Sequence, residues 1–223
     1  MSRRIDTEAD IEAGLAALLA ADPRLEPVAA MAGRLPLRRR SGGFAGLAGI
    51  VVSQQLSTAS ANAIWGRLAA AYDPFTPQAL IRARASRLAG LGLSAPKIRA
   101  LKEIAKAIAA GRLDCDALPG LPAETAHAAL CAIHGIGPWS ADIYLLFCLG
   151  HPDAWPAGDL ALQEAARLAF ALPARPGLKE TTALADPWRP WRGVAARLLW
   201  AYYRAVKQRD PAPLQPTRAP ESS

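Results

Sequence analysis

The sequence predicts an all-α fold, and three observations carry that expectation. Apolar residues recur at intervals of three and four along almost every segment, the spacing of one helix face, and no segment sustains the alternation of two that marks a strand. Helix-starting residues (Ser, Thr, Asp) precede these segments, and glycines or prolines interrupt them. With 223 residues and 52% apolar letters, the chain is long enough to bury a full core, in one domain or two closely packed ones.

Taken in order, Phe44, Leu47, Ile50 and Val51 mark one helix, and Ser57 caps the next, which carries Ile64, Trp65, Leu68 and Tyr72. Thr76-Pro77 opens another. Ser94 caps a helix with Ile98, Leu101, Ile104 and Ile108 inward; Lys102 and Lys106 share its outer face and Gly111 stops it. Pro122 begins a helix to about Ile133, and a short glycine turn joins it to a second from Trp139 to Leu149, closed by Gly150. Asp159 precedes a helix from Leu160 to Phe170, and Asp186-Pro187 starts the last, which runs through Trp200 and Tyr202 towards Lys207. The tail, residues 211–223, has four prolines (Pro211, Pro213, Pro216, Pro220) and reads as disordered.

Composition excludes several classes. No run approaches the roughly 18 to 20 uncharged apolar residues of a membrane span, and Met1-Ser2-Arg3-Arg4-Ile5-Asp6 is not a secretory leader, so the expectation is a soluble intracellular protein with no membrane partner. Cys115, Cys131 and Cys148 form no CxxC pair; they suit neither a disulfide framework nor a four-thiolate cluster and read as reduced, mostly buried thiols. His127, His134 and His151 lack zinc spacing, and His134 is expected to face solvent. The formal charge is +7, and the stretch from Arg82 to Arg112 accounts for all of it, with eight bases (Arg82, Arg84, Arg87, Lys97, Arg99, Lys102, Lys106, Arg112) against Glu103. A basic block of this kind suits a polyanion such as nucleic acid, and equally a solvated helix face.

The most informative stretch is Leu130-Cys131-Ala132-Ile133-His134-Gly135-Ile136-Gly137-Pro138-Trp139-Ser140-Ala141. Two helices joined by His-Gly-Ile-Gly-Pro must turn sharply. Gly135 and Gly137 permit positive φ and leave no side chain between backbone and ligand, and Pro138 suits the first turn of a helix whose free N–H groups favour a phosphate. Such contacts position a protein on DNA without reading sequence. An ordinary tight helix–helix connection has the same letters.

With those residues in view, the sequence resembles the helix-hairpin-helix DNA glycosylases, and within them the DNA-3-methyladenine glycosylase II group. The resemblance rests on Ile133 to Ala141, on Ser53-Gln54-Gln55-Leu56-Ser57 upstream, on Trp155-Pro156-Ala157-Gly158-Asp159 downstream and on Pro190-Trp191-Arg192 through Trp200, in that order and spacing, over about Arg38 to Lys207. It implies a two-lobed helical body over residues 1–210, with N-terminal helices returning to pack with the C-terminal ones and the active site in the cleft between the lobes. It also implies an activity: flipping a nucleotide out of double-stranded DNA and hydrolysing the N-glycosidic bond of an alkylated purine such as 3-methyladenine or 7-methylguanine.

The same resemblance assigns roles. Asp159 is the carboxylate that stabilises the positive charge developing on the sugar, while the bare sequence reads it as the cap of the helix at Leu160, and both uses are compatible. Leu56, with Gln55 beside it, plugs the opened base stack; a core leucine in a helix–helix turn is the plain alternative. Trp139 and Trp200 form the base pocket, where flat aromatic faces attract a cationic ring, although tryptophans on helices are more often core. The pocket aromatic expected four residues after Trp139 is Ile143 here, and Tyr144 is the candidate replacement. Gly135, Ile136, Gly137 and Ser140 meet the DNA phosphate. Backbone carbonyls of Cys131, Ile133 and Ile136 are candidate ligands of a structural Na⁺ or K⁺. Where strand-cleaving relatives carry a Schiff-base lysine this chain has Trp139, so monofunctional hydrolysis is expected, by a monomer without iron–sulfur cluster, zinc or other cofactor, in a bacterial cytoplasm at the nucleoid. Two other readings stand beside this one: a non-catalytic helix-hairpin-helix DNA-binding module, and a glycosylase for an oxidised or deaminated base.

Overall fold

A computed structural model describes residues 4–209; the expected tail lies outside them. Among the described residues there are helices and turns and no strand. The α-helices are α1 (Glu8–Ala21), α2 (Glu26–Ala32), α3 (Gly43–Ser53), α4 (Thr58–Ala71), α5 (Pro77–Arg82), α6 (Ala85–Gly90), α7 (Ala95–Ala109), α8 (Ala123–Cys131), α9 (Pro138–Ile143), α10 (Leu160–Ala169), α11 (Leu178–Leu184) and α12 (Arg192–Arg209). None is long and apolar enough to cross a membrane.

Two sets of helices share one apolar core. In the first, α12 lies against α2, α10 and α1, so the start of the described chain packs on its end. In the second, α7 holds α3, α5 and α6, with α4 and α9 against α3 and α8 against α9. Asp22 ties the N-terminal helices to the C-terminal region: it accepts Trp188 Nε1–H at 2.9 Å and the Arg24 guanidinium at 2.8 Å. The Arg24 hydrogen bond holds its pKa down at about 2 despite burial.

Local chemistry explains the element boundaries. Thr7 and Asp10 form a reciprocal capping box on α1, and Ser57 and Thr76 cap α4 and α5 through Ser60 N and Ala79 N. The last helix begins at Arg192 rather than Asp186. Asp186–Trp188 make a separate 3₁₀ turn, and Arg189, extended before Pro190, breaks the path between them. The helix expected from Trp139 to Leu149 changes pitch midway: after α9, Tyr144–Cys148 form a π turn, one extra residue wide. Of the cysteines only Cys148 is buried; Cys115 and Cys131 are half-exposed, a correction to the expectation of mostly buried thiols.

The basic block also departs from its expected form. Lys102 does not stand on an outer face: its ammonium reaches the carbonyls of Ile81 (3.2 Å) and Ala83 (2.6 Å) at the end of α5. Lys97 likewise donates to Val52 O (2.7 Å) near the end of α3. Both satisfy helix C-terminal carbonyls, where a cation is favoured.

Candidate active site

Asp159 sits where the two helix sets meet. The loop that delivers it is fixed by Trp155, whose indole donates to Thr181 O (3.1 Å) and packs edge-on against Trp188. Two further bonds fix it: Asp159 N–H to Pro156 O (2.9 Å), and the buried Gln163 amide to Ala157 O (2.8 Å). Sequence reasoning did not single out Gln163; a lone glutamine one turn into a helix carries no signal of what it will meet.

The Asp159 carboxylate then receives three donors. Oδ1 accepts Leu162 N–H at 2.9 Å, capping α10, and Trp200 Nε1–H at 3.1 Å from α12. Oδ2 accepts Trp139 Nε1–H at 2.8 Å from α9. The cap and the alignment with the two tryptophans are thus made by one side chain, and the Trp139 bond joins the two helix sets. Trp139 remains 37% exposed, large for an indole with its N–H committed, so its face is open to an incoming flat ring.

Trp200 stacks on Phe147 at 5.8 Å and 22°. The guanidinium of buried Arg197 lies 5.1 Å from the Phe147 ring centre and that of exposed Arg40 5.9 Å, a cation–π arrangement. Burial lowers the Arg197 pKa to about 10, with Arg39 adding to the effect, and its N–H groups donate to Gly193 O and Leu146 O. Phe147 takes the place beside Trp200 that Tyr144 was expected to fill. Tyr144 is fully buried and burial pushes its pKa up; it belongs to the core and not to a base pocket. The π turn shifts the facing of the residues that follow Tyr144 within that segment, Phe147 among them, and Ile143 itself is buried.

The hairpin between α8 and α9 has one conformationally special glycine, not two. Gly135 has φ +95°, and a Cβ there would come within 2.3 Å of Ala100 Cβ on α7. Gly137 is extended, φ −84°, with open space where a Cβ would stand. Ile136 is buried and its N–H is committed to Ile133 O at 3.0 Å. The Ser140 side chain, 4% exposed, accepts from Gln54 Nε2 at 2.8 Å, which ties the start of α9 to the α3–α4 turn. His134 is exposed.

That Gln54–Ser140 bond anchors the α3–α4 turn beside the hairpin. Within it Gln55 has φ +55°, and Leu56 is 39% exposed at the start of α4. An apolar side chain held out on a strained turn is poorly explained as core and suits insertion into an apolar partner. A pocket of about 640 Å³ opens beside it, bounded by Arg39, Arg40, Gly46, Gly49, Ser53 and Trp65 among others.

Behind the hairpin lies a polar cluster, largely buried at Arg192, Asp153 and Asp142 and open at Glu124. Arg192 makes a two-pronged pair with Asp153 (2.7 and 2.8 Å) and reaches Glu124. Asp142, 3.6 Å from His127, has its pKa raised to about 8 by burial, opposed by Arg192. Among the described residues no three His, Cys, Asp or Glu side chains converge as a metal ion would need.

Comparison with known proteins gives consistent matches. The family described as HhH-GPD superfamily base excision DNA repair protein matches residues 48–190. The chain is 37% identical over 210 residues to a probable bifunctional transcriptional activator/DNA repair enzyme AlkA of Mycobacterium tuberculosis, covering 89% of this chain and 41% of that relative's length. A crystal structure of DNA-3-methyladenine glycosidase from Bacillus halodurans superposes with a TM-score of 0.80 at 29% identity, over 92% of this chain and 94% of that one. The 3-methyladenine DNA glycosylase Mag1 of Schizosaccharomyces pombe, in complex with abasic DNA, gives 0.75 at 28% identity over 84% and 94%.

Proposed function

Since the chain belongs to the HhH-GPD superfamily of base excision DNA repair proteins, we propose that it is a DNA glycosylase that binds double-stranded DNA and releases alkylated purines such as 3-methyladenine and 7-methylguanine. The observation that carries this reading is the single carboxylate Asp159, held at once by the indole N–H groups of Trp139 and Trp200 and by Leu162 N.

In this reading the target nucleotide rotates out of the duplex, Leu56 fills the gap with Gln55 beside it, and the amides of Gly135, Gly137 and Ser140 hold a flanking phosphate. The extruded base lies against the exposed face of Trp139, near the stacked Trp200 and Phe147 rings. An alkylated purine is already cationic, so its bond to the sugar carbon breaks with the electron pair leaving on the base, which departs neutral. Positive charge then develops on the sugar, and Asp159 stabilises it until water adds to that carbon and loses a proton. Three N–H donors hold the carboxylate still, so little reorganisation is needed as the charge forms. With Trp139 in the place of a lysine, the reaction stops at the abasic site and the strand stays intact. Catalysis by a monomer at the bacterial nucleoid completes the proposal. The carbonyls of Cys131, Ile133 and Ile136 are oxygen donors of the kind that suit Na⁺ or K⁺, and Ile133 O keeps one lone pair beside its bond from Ile136; an ion there would bridge the hairpin to a phosphate.

The test is chromatography of bases freed from methylated DNA. Release of 3-methyladenine or 7-methylguanine is expected, together with unbroken strands before alkaline treatment. Binding to abasic DNA with no base released would favour the non-catalytic module, and release confined to oxidised or deaminated bases would move the substrate class.

A further inference from the structure

The three arginines at the front of the basic block have no role in the site above. Arg82, Arg84 and Arg87 are exposed and surround an open pocket of about 670 Å³, completed by Tyr72, Ala79, Ala83 and Ser86. Among the described residues no carboxylate lies within ion-pair distance of any of the three, whereas Arg24, Arg167, Arg189 and Arg192 all find acids. Arg87 stands 5.3 Å over the ring of Tyr72, and the Tyr72 hydroxyl is shielded from solvent and has no hydrogen-bond partner. The turn that carries the arginines is rigid: Lys102 clamps the carbonyls of Ile81 and Ala83, on either side of Arg82, and Arg84 is extended ahead of α6. Three exposed guanidiniums without an acid partner, on and either side of a fixed turn, form a receptor for a tetrahedral oxyanion, which accepts several donors at once.

Its position decides which phosphate. Tyr72 ends α4, and Leu56 lies just before the start of that 14-residue helix, so wedge and pocket are separated by about 20 Å. That separation is about six steps of a DNA strand at roughly 3.4 Å each. We propose that Arg82, Arg84 and Arg87 form a second anion site that grips backbone phosphate of duplex DNA away from the extruded nucleotide. The assignment rests on the reading that this chain engages duplex DNA. It gives a purpose to the part of the charge surplus that neither caps a helix nor lies by the hairpin. Arg99 and Lys106 line a separate surface with His134.

Modification of arginines by phenylglyoxal, mapped by peptide mass, reads the site directly. An undamaged 30-base-pair duplex should protect Arg82, Arg84 and Arg87, and the R82Q/R84Q/R87Q protein should show a salt dependence of binding shallower by about 1 to 3 in log–log slope. Unprotected arginines, or a slope equal to the native one, overturn the proposal. Protection by inorganic pyrophosphate but not by duplex would mark a site for free phosphate compounds and equally overturn it. Protection of Arg99 and release of damaged bases report on the hairpin and on the glycosylase reading separately, so failure of either is distinguishable from failure here.

Discussion

Replacing Asp159 by asparagine keeps the volume of the side chain and removes its charge, and the structure sets the expected magnitudes. A carboxylate about 4 Å from a unit positive charge, at the effective dielectric of about 20 that suits protein sites, stabilises it by about 4 kcal/mol, or roughly a thousandfold in rate. The fold suffers less. Asparagine retains one acceptor oxygen, which can still serve Leu162 N and Trp200 Nε1. Its NH₂ then meets Trp139 Nε1–H, donor against donor, where Oδ2 had accepted at 2.8 Å. Because Trp139 is 37% exposed, water can take over that N–H, and the cost stays near the lower end of the roughly 1 to 3 kcal/mol for an orphaned donor. The variant should therefore melt a few degrees lower, bind an abasic-analogue duplex within about threefold of native, and release base from methylated DNA about a thousandfold more slowly in single-turnover assays. Release within tenfold of native, from a folded variant that binds DNA, would refute the placement of the charge beside the reacting sugar.

Three further outcomes follow from the geometry. In Asp22→Asn the hydrogen bonds that depress the Asp22 pKa to about 2 are weakened. The native advantage of about 2 kcal/mol above pH 4 should shrink as pH falls towards 2, since a lowered pKa gives stability that acid removes, and calorimetry from pH 6 to 2 measures it. Asp142 carries the opposite sign: with its pKa raised to about 8, native stability is fully present below pH 4 and declines up to about pH 8. Asp142→Asn should lack that decline, and the difference in melting temperature should change by several degrees across the window. In Gly135→Ala a side chain is forced into φ +95° and onto Ala100, which should cost more than about 1 kcal/mol and weaken DNA binding. Gly137→Ala, extended and unobstructed, should leave stability nearly unchanged, and denaturant titration of the two variants measures the difference.

The contrast between those two glycines shows what the letters conveyed. The hairpin and the capping aspartate were legible because each is a local pattern: a turn needs small residues and a helix start needs an acceptor, whereas the two tryptophans were singled out only through the family resemblance. Their convergence on one carboxylate was legible only through the family resemblance, since α9, α10 and α12 are brought together by tertiary packing. The π turn left no mark in the sequence, and neither did the place of Phe147 beside Trp200, where Tyr144 had been the aromatic singled out for the pocket. Lys102 misled for a related reason. A lysine four residues from another on a helix looks solvated, and nothing local says that a neighbouring helix will end within reach of its ammonium. α1 and α2 went unplaced because their alanine-rich faces blur the apolar periodicity.

The widened turn at Tyr144–Cys148 acts as a phase shifter. Excising one residue there would restore ordinary pitch and turn the last residues of that segment by about 100°, taking Phe147 off Trp200 while Asp159, held by its own loop and the start of α10, kept its place. Insertions and deletions at this spot are therefore a way to retune which ring lies beside Trp200 without touching the acid, and single-residue length changes between the hairpin tryptophan and Gly150 are where relatives should first differ in that ring.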